Sequence, residues 1–329
     1  MEIAFILSYP RIVPTDGIVR QAYSWKKGLE SRGHTVTLIN MWEYNDWTKF
    51  NTILLFGFSE YMRDVVLSLS AINPNIVLAP ILDPNYCLTI LKCYTLWGSK
   101  KLRLTNHYHS LRQVKHLFKK FLVRSEFERT FLYKGFGIEK DKCKIVPLSY
   151  NVAPNAKKWE KEPFCLHISL LCDKRKNVKR LIDASVKYGF KLVLCGVLRS
   201  INEQNLLNSW IRDKKNICYM GYVSYEKMME LYTRARVFAL PSTYEGVGIV
   251  ALDAATMGCD IVITELGGPK EYYRGLAKVV NPYDVDAIGK AVLTFLNGET
   301  FQPQLSQYIK TTYSIERMSL LLEKELMLK

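Results

Sequence analysis

Nowhere in this chain do apolar residues run on for the ~20 positions that a membrane-spanning helix needs. Hydrophobic residues make up 48% of it, yet they come in short runs broken by polar positions. The opening, MEIAFILSYPRIVP, sets an acid before an apolar run of only four residues, AFIL, and does not read as a signal peptide. We therefore expect a protein made and kept in the cytoplasm. Cysteine pairs are missing too: the eight cysteines (87, 93, 143, 165, 172, 195, 218 and 259) form no CxxC and mostly sit in strand-like runs. That spacing argues against a disulfide framework or zinc knuckles and for reduced core residues. There is no low-complexity tract and no internal repeat, so no long disordered stretch is expected. Nor does a GxGxxG follow the first apolar run, which sets a nicotinamide-dependent oxidoreductase lowest among the readings considered.

What the chain does have is positive charge, +15 in all and unevenly spread. Between Lys92 and Lys134 there are eleven Lys/Arg against two acids, Glu126 and Glu128. Within that segment SLRQVKHLFKKFLV places Leu111, Val114, Leu117, Phe118 and Phe121 at helical spacing, with Arg112, Lys115, Lys119 and Lys120 around them. This is the pattern of a basic amphipathic helix. Such a helix could lie on the anionic inner face of a membrane, and it could equally be a packed helix with a solvated basic face. Nucleic acid is the other anionic partner to weigh, but no zinc finger or RNP-like motif accompanies the charge, and none is expected to bind.

The 329 residues suit two domains better than one core. EIAFILSYP, TDG (15–17), an amphipathic stretch to Leu29 and TVTLIN read as strand, turn, helix, strand, with Gly17 where a loop enters the first helix. His34, after a helix-ending glycine, is expected to serve the turn or the packing. TILLFGF, NIVLAPI, KLRLTN, KFLVRS and KCKIVPLSY continue the strands. SYNVAPNAKKWEKEP is polar, holds two prolines and lacks periodicity, which marks a linker. A second alternating series runs through FCLHISL, KLVLCG, NICYMGY, VFALPS, CDIVITE and LAKVVNP, with a Ser224-capped helix among those between. The expectation is α/β: two Rossmann-like, doubly wound parallel-sheet domains facing a central cleft, with ligands at the carboxyl ends of the strands. Residues 1–150 would form the first domain, 151–163 the linker, 164–302 the second domain, and 303–329 a helix crossing back to the first.

STYEGVGIVALDAATMGCD, residues 242–260, carries the chemistry. VFALPS is read as a strand, STYEGVG as the loop at its carboxyl end, and about 248–257 as a helix closed by Gly258. Glu245 then stands in the loop. Gly246 and Gly248 leave the backbone bare where the helix points its unpaired N–H groups, a site for phosphate or sugar oxygens. Asp253 lies among Ile249, Val250, Ala251, Leu252, Ala254 and Ala255, on a helix that should be buried. A buried carboxylate needs a partner. A ribose diol could be that partner. The bland alternatives are a structural cation at Asp253 and a solvated loop acid at Glu245.

Glu245, Gly246, Val247, Gly248, Leu252, Asp253, Ala254 and Gly258 resemble the Glu-x7-Glu signature of the family 4 retaining glycosyltransferases, with the second acid shortened. FLVRSEFER, KCKIVPLSYN, HISLLCDKRKN, GYVSYEKMMELYTRARVFALPS and ITELGGPKEYY resemble the family in order and spacing over nearly the whole chain. The resemblance implies a GT-B fold, with a nucleotide-sugar donor on the second domain and a saccharide or lipid-linked acceptor on the first. It puts Glu245 on the donor sugar and Asp253 on the ribose. Backbone amides of Val247, Gly248 and Ile249 would approach the diphosphate or sugar, and the base would rest near Tyr222 and Val223. Of the family's Arg and Lys at the start of the second domain, Lys176 matches the lysine. Leu171 stands where the arginine would be, leaving Lys174 or Arg175 to substitute, although lysine and arginine are not equivalent at such a site.

A family histidine on the acceptor side is also missing: the segment reads APILDPNY, so Asp83 and Asn85 are the polar groups there, with His107 and His109 nearby as surface or acceptor-edge residues. No DxD-like motif has a suitable context, so no metal and no further cofactor is expected. The resulting expectation is a retaining, metal-independent hexosyltransferase with a UDP-sugar donor, active in O-antigen, capsule or lipopolysaccharide assembly, with peripheral contact at the inner membrane face through Lys92 to Lys134. A nucleotide-sugar epimerase and an inactive GT-B scaffold are the alternatives.

Overall fold

A computed structural model describes residues 1–8, 17–82, 87–98, 106–153 and 160–327. The chain divides into two compact units, Met1–Ser149 with Ile315–Lys329, and Tyr150–Ser314. Each is built on a six-stranded parallel sheet. Of the expected linker, residues 151–163, positions 154–159 lie outside the described residues, and the second unit's first strand already begins within it, at Glu162.

In the first unit the strands are β1 (Glu2–Leu7), β2 (Thr35–Leu38), β3 (Thr52–Phe56), β4 (Ile76–Ala79), β5 (Lys120–Val123) and β6 (Cys143–Ile145). Their order across the sheet is β2-β1-β3-β4-β5-β6. Every side chain of TILLF and IVLA is buried. Helices cover both faces of the sheet, so an inner strand has no solvent side and its sequence is a continuous apolar run without alternation. The helices are α1 (Gly17–Glu30), α2 (Met62–Ile72), α3 (Leu88–Leu96), α4 (His107–Val114) and α5 (Glu126–Phe131). Asn106 caps α4 by accepting from the His109 N–H, and Ser125 caps α5 by accepting from that of Glu128.

The second unit repeats the plan with β7 (Glu162–Ile168), β8 (Lys191–Cys195), β9 (Ile217–Tyr219), β10 (Ala235–Leu240), β11 (Asp260–Thr264) and β12 (Lys278–Val280). Their order is β12-β11-β10-β7-β8-β9. Helices α6 (Val178–Tyr188), α7 (Ile201–Ile211), α8 (Tyr225–Arg234), α9 (Ile249–Thr256), α10 (Val285–Leu296) and α11 (Gln304–Thr312) belong to it. Ser224 caps α8 as expected, accepting from the Lys227 N–H. From β7 the chain winds one way to β8 and β9, and from β10 the other way to β11 and β12. The carboxyl ends of β7 and β10 therefore flank the point where the winding reverses, the position at which open parallel sheets hold ligands.

Three expectations need revision. SLRQVKHLFKKFLV is not one helix: α4 stops at Val114, a 3-10 turn covers Lys115–Leu117, and KFLV is the buried strand β5. Leu111, Val114, Phe118 and Phe121 are all core residues. Lys115 donates to the carbonyls of Phe136 and Gly137, and Lys120 to the Glu325 carbonyl. Helical spacing thus persisted across a helix, a turn and a strand because each buries its apolar side chains in the same core. The single terminal helix is instead two, α11 and α12 (Ile315–Leu326), and only the second lies in the first unit. There Arg32 and His34 both bind the Glu323 carboxylate, so His34 has the packing role foreseen for it. The cysteines are free, but only Cys143, Cys165, Cys195 and Cys259 are buried; Cys87, Cys93 and Cys218 are exposed. KLRLTN falls outside the described residues apart from Asn106. Among the described residues no helix is long and apolar enough to cross a membrane.

Lys161 shows how tightly the second unit is closed below its sheet. Its ammonium donates to the Tyr232 carbonyl at the end of α8 and to that of Met257 at the end of α9, both at 3.0 Å. Burial pulls this lysine below its ordinary range. Lys161→Met keeps the length of the side chain but takes the ammonium donor from the Met257 carbonyl and leaves the Tyr232 carbonyl with the Cys259 thiol, which should cost about 1–3 kcal/mol in urea unfolding. A loss below the error of the measurement would show that the Met257 carbonyl is served by water.

Candidate functional site

The site is assembled from the loops that follow β7, β10 and β12. After β7 the chain turns inward, and Leu171 is buried in the apolar core of the unit. An arginine at that position would bring a charge into hydrocarbon, so the place where the family arginine was sought cannot serve an anion in this fold. Asp173 then caps a short turn, Lys174–Lys176, accepting from the Arg175 N–H and pairing with the Arg175 guanidinium at 2.9 Å. Burial works to raise the Asp173 carboxyl, but these hydrogen bonds and the guanidinium outweigh it and hold the group below its usual range. The guanidinium of Arg175 is thus engaged with its own turn, while its carbonyl accepts the Thr243 N–H of the loop after β10.

Lys176 reaches across to that loop. Its ammonium lies 2.6 Å from Oε2 of Glu245, and Ser242 donates to the same oxygen at 3.2 Å. Both charged side chains are mostly buried, at 19% and 15% exposed, so the pair sits in a medium where charge-assisted hydrogen bonds hold firmly. The next residue, Asn177, adopts a left-handed conformation and donates its side-chain amide to the carbonyls of Pro241 and Pro282. Its oxygen accepts from Arg180. One amide therefore joins the ends of β7, β10 and β12.

Glu245 also pairs through its backbone with Gly267, after β11. Gly267 has φ +96°, and a Cβ there would stand 1.9 Å from the Glu245 carbonyl oxygen, so only glycine fits. Gly248, at φ +73°, caps α9. Gly246 and Val247 are buried and Ile249 is half-buried, which leaves backbone amides as what this loop can offer at the start of α9. Asp253, on α9, is 1% exposed. Its Oδ1 accepts the Asn151 N–H at 2.7 Å, a backbone donor from the start of the same unit. The phenol of Tyr273 ties the two acids to one neighbourhood. It is fully buried, and burial first, then the charges of Asp253, of neighbouring tyrosines and of Glu245, push its pKa well up.

Under this surface, His167 of β7 is fully buried between the Ala239 carbonyl (2.8 Å from Nδ1) and the Ser169 hydroxyl (2.7 Å from Nε2). Burial, with Lys176 adding to it, lowers its pKa to about 4. The ring is neutral, donates from Nδ1 to Ala239 and accepts from Ser169.

The other expected residues lie apart. Tyr222 is strongly exposed and Val223 half-buried in the loop after β9, at the sheet's edge. That loop is linked to the end of β8 by the Gly196 N–H, which donates to Gly221. Lys174 is exposed beside Arg175. In the first unit, Gly17 is the exposed first residue of α1. His107 opens α4, and burial lowers its pKa. His109 spends Nδ1 on the Thr95 carbonyl and Nε2 on Gln113, which makes it a packing residue. Asp83 and Asn85 lie outside the described residues. Among the described residues no three His, Cys, Asp or Glu side chains gather as metal ligands. A cavity of the first unit, lined by Met1, Asn51, Thr52 and Asn75 among others, lies at the amino ends of the strands, away from their ligand-binding edge.

Sequence reasoning missed Asn177, Ser242 and the Asn151 amide. An asparagine directly after a charged turn was a signal for a left-handed residue, whereas nothing in the sequence pointed to the other two.

Residues 152–312, just under half of the chain, match the family model described as "Glycosyl transferases group 1". O-antigen chain mannosyltransferase B of Escherichia coli is 27% identical over 209 residues, 56% of this chain and 53% of that relative. The match thus spans about half the length of the relative. Among solved structures, Anabaena Alr3699/HepE in complex with UDP superposes with a TM-score of 0.74 at 13% identity, covering 99% of both chains. Sucrose-phosphate synthase from Thermosynechococcus elongatus does so with a TM-score of 0.73 at 16% identity, covering 98% of this chain and 97% of that one. The fold is the two-domain, Rossmann-like GT-B fold, and the sequence matches support a glycosyltransferase family.

The buried His167 makes stability depend on pH. Its pKa is about 4 folded against about 6.5 unfolded, so the unfolded chain binds the proton first as pH falls. The stabilisation is whole above pH ~6.5 and is lost on going down towards pH ~4. Between pH 7.5 and 5 the urea-unfolding free energy should fall by about 2 kcal/mol more in the wild type than in His167→Gln. Equal slopes would show that His167 keeps its ordinary pKa in the fold.

Proposed function

We propose that this protein is a retaining hexosyltransferase that moves a sugar from a nucleoside-diphosphate donor, UDP in our reading, to a saccharide acceptor during surface-polysaccharide assembly in the cytoplasm. The observation that carries the proposal is the Lys176–Glu245 pair at the reversal point of the second sheet, beside the glycine-capped start of α9. The E. coli relative is an O-antigen mannosyltransferase and the Anabaena neighbour holds UDP, which supports polysaccharide chemistry and a nucleotide donor respectively.

The chemistry follows from where charge develops. As the bond between the anomeric carbon and the diphosphate breaks, negative charge gathers on the leaving phosphate. Lys176 and the amides of Val247, Gly248 and Ile249 are fixed donors for it, with Lys174 and Arg175 at the rim. Because the donors are set before reaction, the site needs little reorganisation when the charge appears. Glu245, released from Lys176 by the incoming phosphate, accepts from sugar hydroxyls, and Asp253 accepts from the ribose. The acceptor attacks from the face the diphosphate leaves, and a phosphate oxygen takes its proton. The charge is met by the lysine and amides, so the reaction needs no metal. The first unit holds the acceptor.

Calorimetry with UDP, GDP, dTDP, CMP and NAD should give binding of UDP that vanishes in Asp253→Ala. Preference for GDP would correct the nucleotide, and no binding at all would remove the donor site. Lys176→Ala should lower kcat by the equivalent of about 3–4 kcal/mol while the melting temperature moves by only a few degrees. A proportionate collapse of folding would instead make the lysine structural. Activity should persist in EDTA; loss in chelator with recovery in manganese would overturn the metal-free mechanism.

A further inference from the structure

Tyr273 is 1% exposed, and its phenol oxygen, closed off from solvent, has no hydrogen-bond partner among the described residues. A phenylalanine would fill nearly the same volume without leaving a buried O–H unpaired. The hydroxyl therefore lowers the stability of the protein on its own. Buried polar groups without a partner are the exception in a folded chain, and each asks for a reason beyond packing.

The chain fixes this residue from both sides. Tyr273 follows the turn Pro269–Tyr272, which begins two residues after Gly267, the glycine whose backbone pairs with Glu245. On the other side the Leu276 N–H donates to the Tyr273 carbonyl at 2.8 Å, closing a turn through Arg274 (φ +48°) and Gly275 (φ +83°), both left-handed. One end of the segment is tied to the Glu245 loop and the other is folded on itself. Between them the ring is held in the interior.

Its surroundings indicate what the hydroxyl serves. Burial, then the charge of Asp253 and more weakly that of Glu245, keeps the phenol protonated. A protonated phenol beside carboxylates is a donor for them. Asp253 is itself buried and accepts the Asn151 N–H at Oδ1. A carboxylate that must meet two adjacent hydroxyls has to present its plane at one angle, and each donor it accepts narrows the angles open to it.

We infer that the Tyr273 hydroxyl is a positioning group for Asp253: with the nucleotide bound, it donates to the carboxylate and holds it towards the ribose diol. Because Tyr273 is anchored on both sides, the Asp253 carboxylate is the group that turns to meet it. The same hydroxyl then lowers stability in the protein alone and raises affinity in the complex. The inference rests on the reading of Asp253 as the acceptor for the ribose.

Calorimetry with UDP and with 2′,3′-dideoxy-UDP on the wild type and on Tyr273→Phe, together with thermal unfolding of both proteins, tests it. The wild type should bind UDP more tightly than the analogue. Tyr273→Phe should melt at the wild-type temperature or above it and bind UDP about tenfold more weakly. It should bind the analogue as the wild type does, since without the diol there is nothing for the carboxylate to align with. Equal affinity of the two proteins for UDP, or equal weakening for UDP and the analogue, would overturn the inference and leave the donor site in place. So would a lower melting temperature with unchanged affinity, the mark of a hydroxyl that pairs with buried water. A wild type that binds neither nucleotide, or does not distinguish them, would instead remove Asp253 from the ribose, and the inference with it.

Discussion

The side-chain amide of Asn177 holds the working end of the second sheet together. Its two N–H groups end on the carbonyls of Pro241 and Pro282, and its oxygen accepts from Arg180. Both prolines close strands, and a buried strand-end carbonyl without a partner is costly. One residue in a left-handed conformation satisfies both, and by doing so sets the loop after β7 against those after β10 and β12. The meeting of Lys176 with Glu245, one residue away, depends on that alignment. So does the backbone bridge from Arg175 to Thr243.

The two units spend their positive charge differently. In the second, the charges near the sheet's carboxyl edge are already answered within the protein: Arg175 by Asp173, Lys176 by Glu245, Arg180 by Asn177. In the proposed reaction an arriving phosphate would have to compete with these internal partners. In the first unit, Lys115 and Lys120 are taken up by carbonyls, while Lys92 on α3 and Lys134 are exposed.

The order of strands and helices was legible because each unit is a parallel sheet covered on both faces, which writes its inner strands as unbroken apolar runs such as TILLF and VFAL. The loop after β10 and the start of α9 were legible from Gly246 and Gly248, since glycine at a helix start is a local demand of the backbone. What misled was SLRQVKHLFKKFLV. Apolar residues three and four apart describe one face of a helix, but a turn followed by a strand can present the same residues to one core when neighbouring elements surround them.

By itself the sequence determined the α/β class, the pair of sheets, the loop and helix that carry Glu245 and Asp253, and the excess of positive charge. These follow from local periodicity, turn chemistry and composition, which act over a few residues. Only the tertiary structure decided that Lys176 pairs with Glu245, 69 positions along the chain, that Asp253 receives the Asn151 amide, and that Leu171 is core. Each of those depends on which strand ends lie side by side and which surfaces find a partner, and that is set by packing across the whole unit.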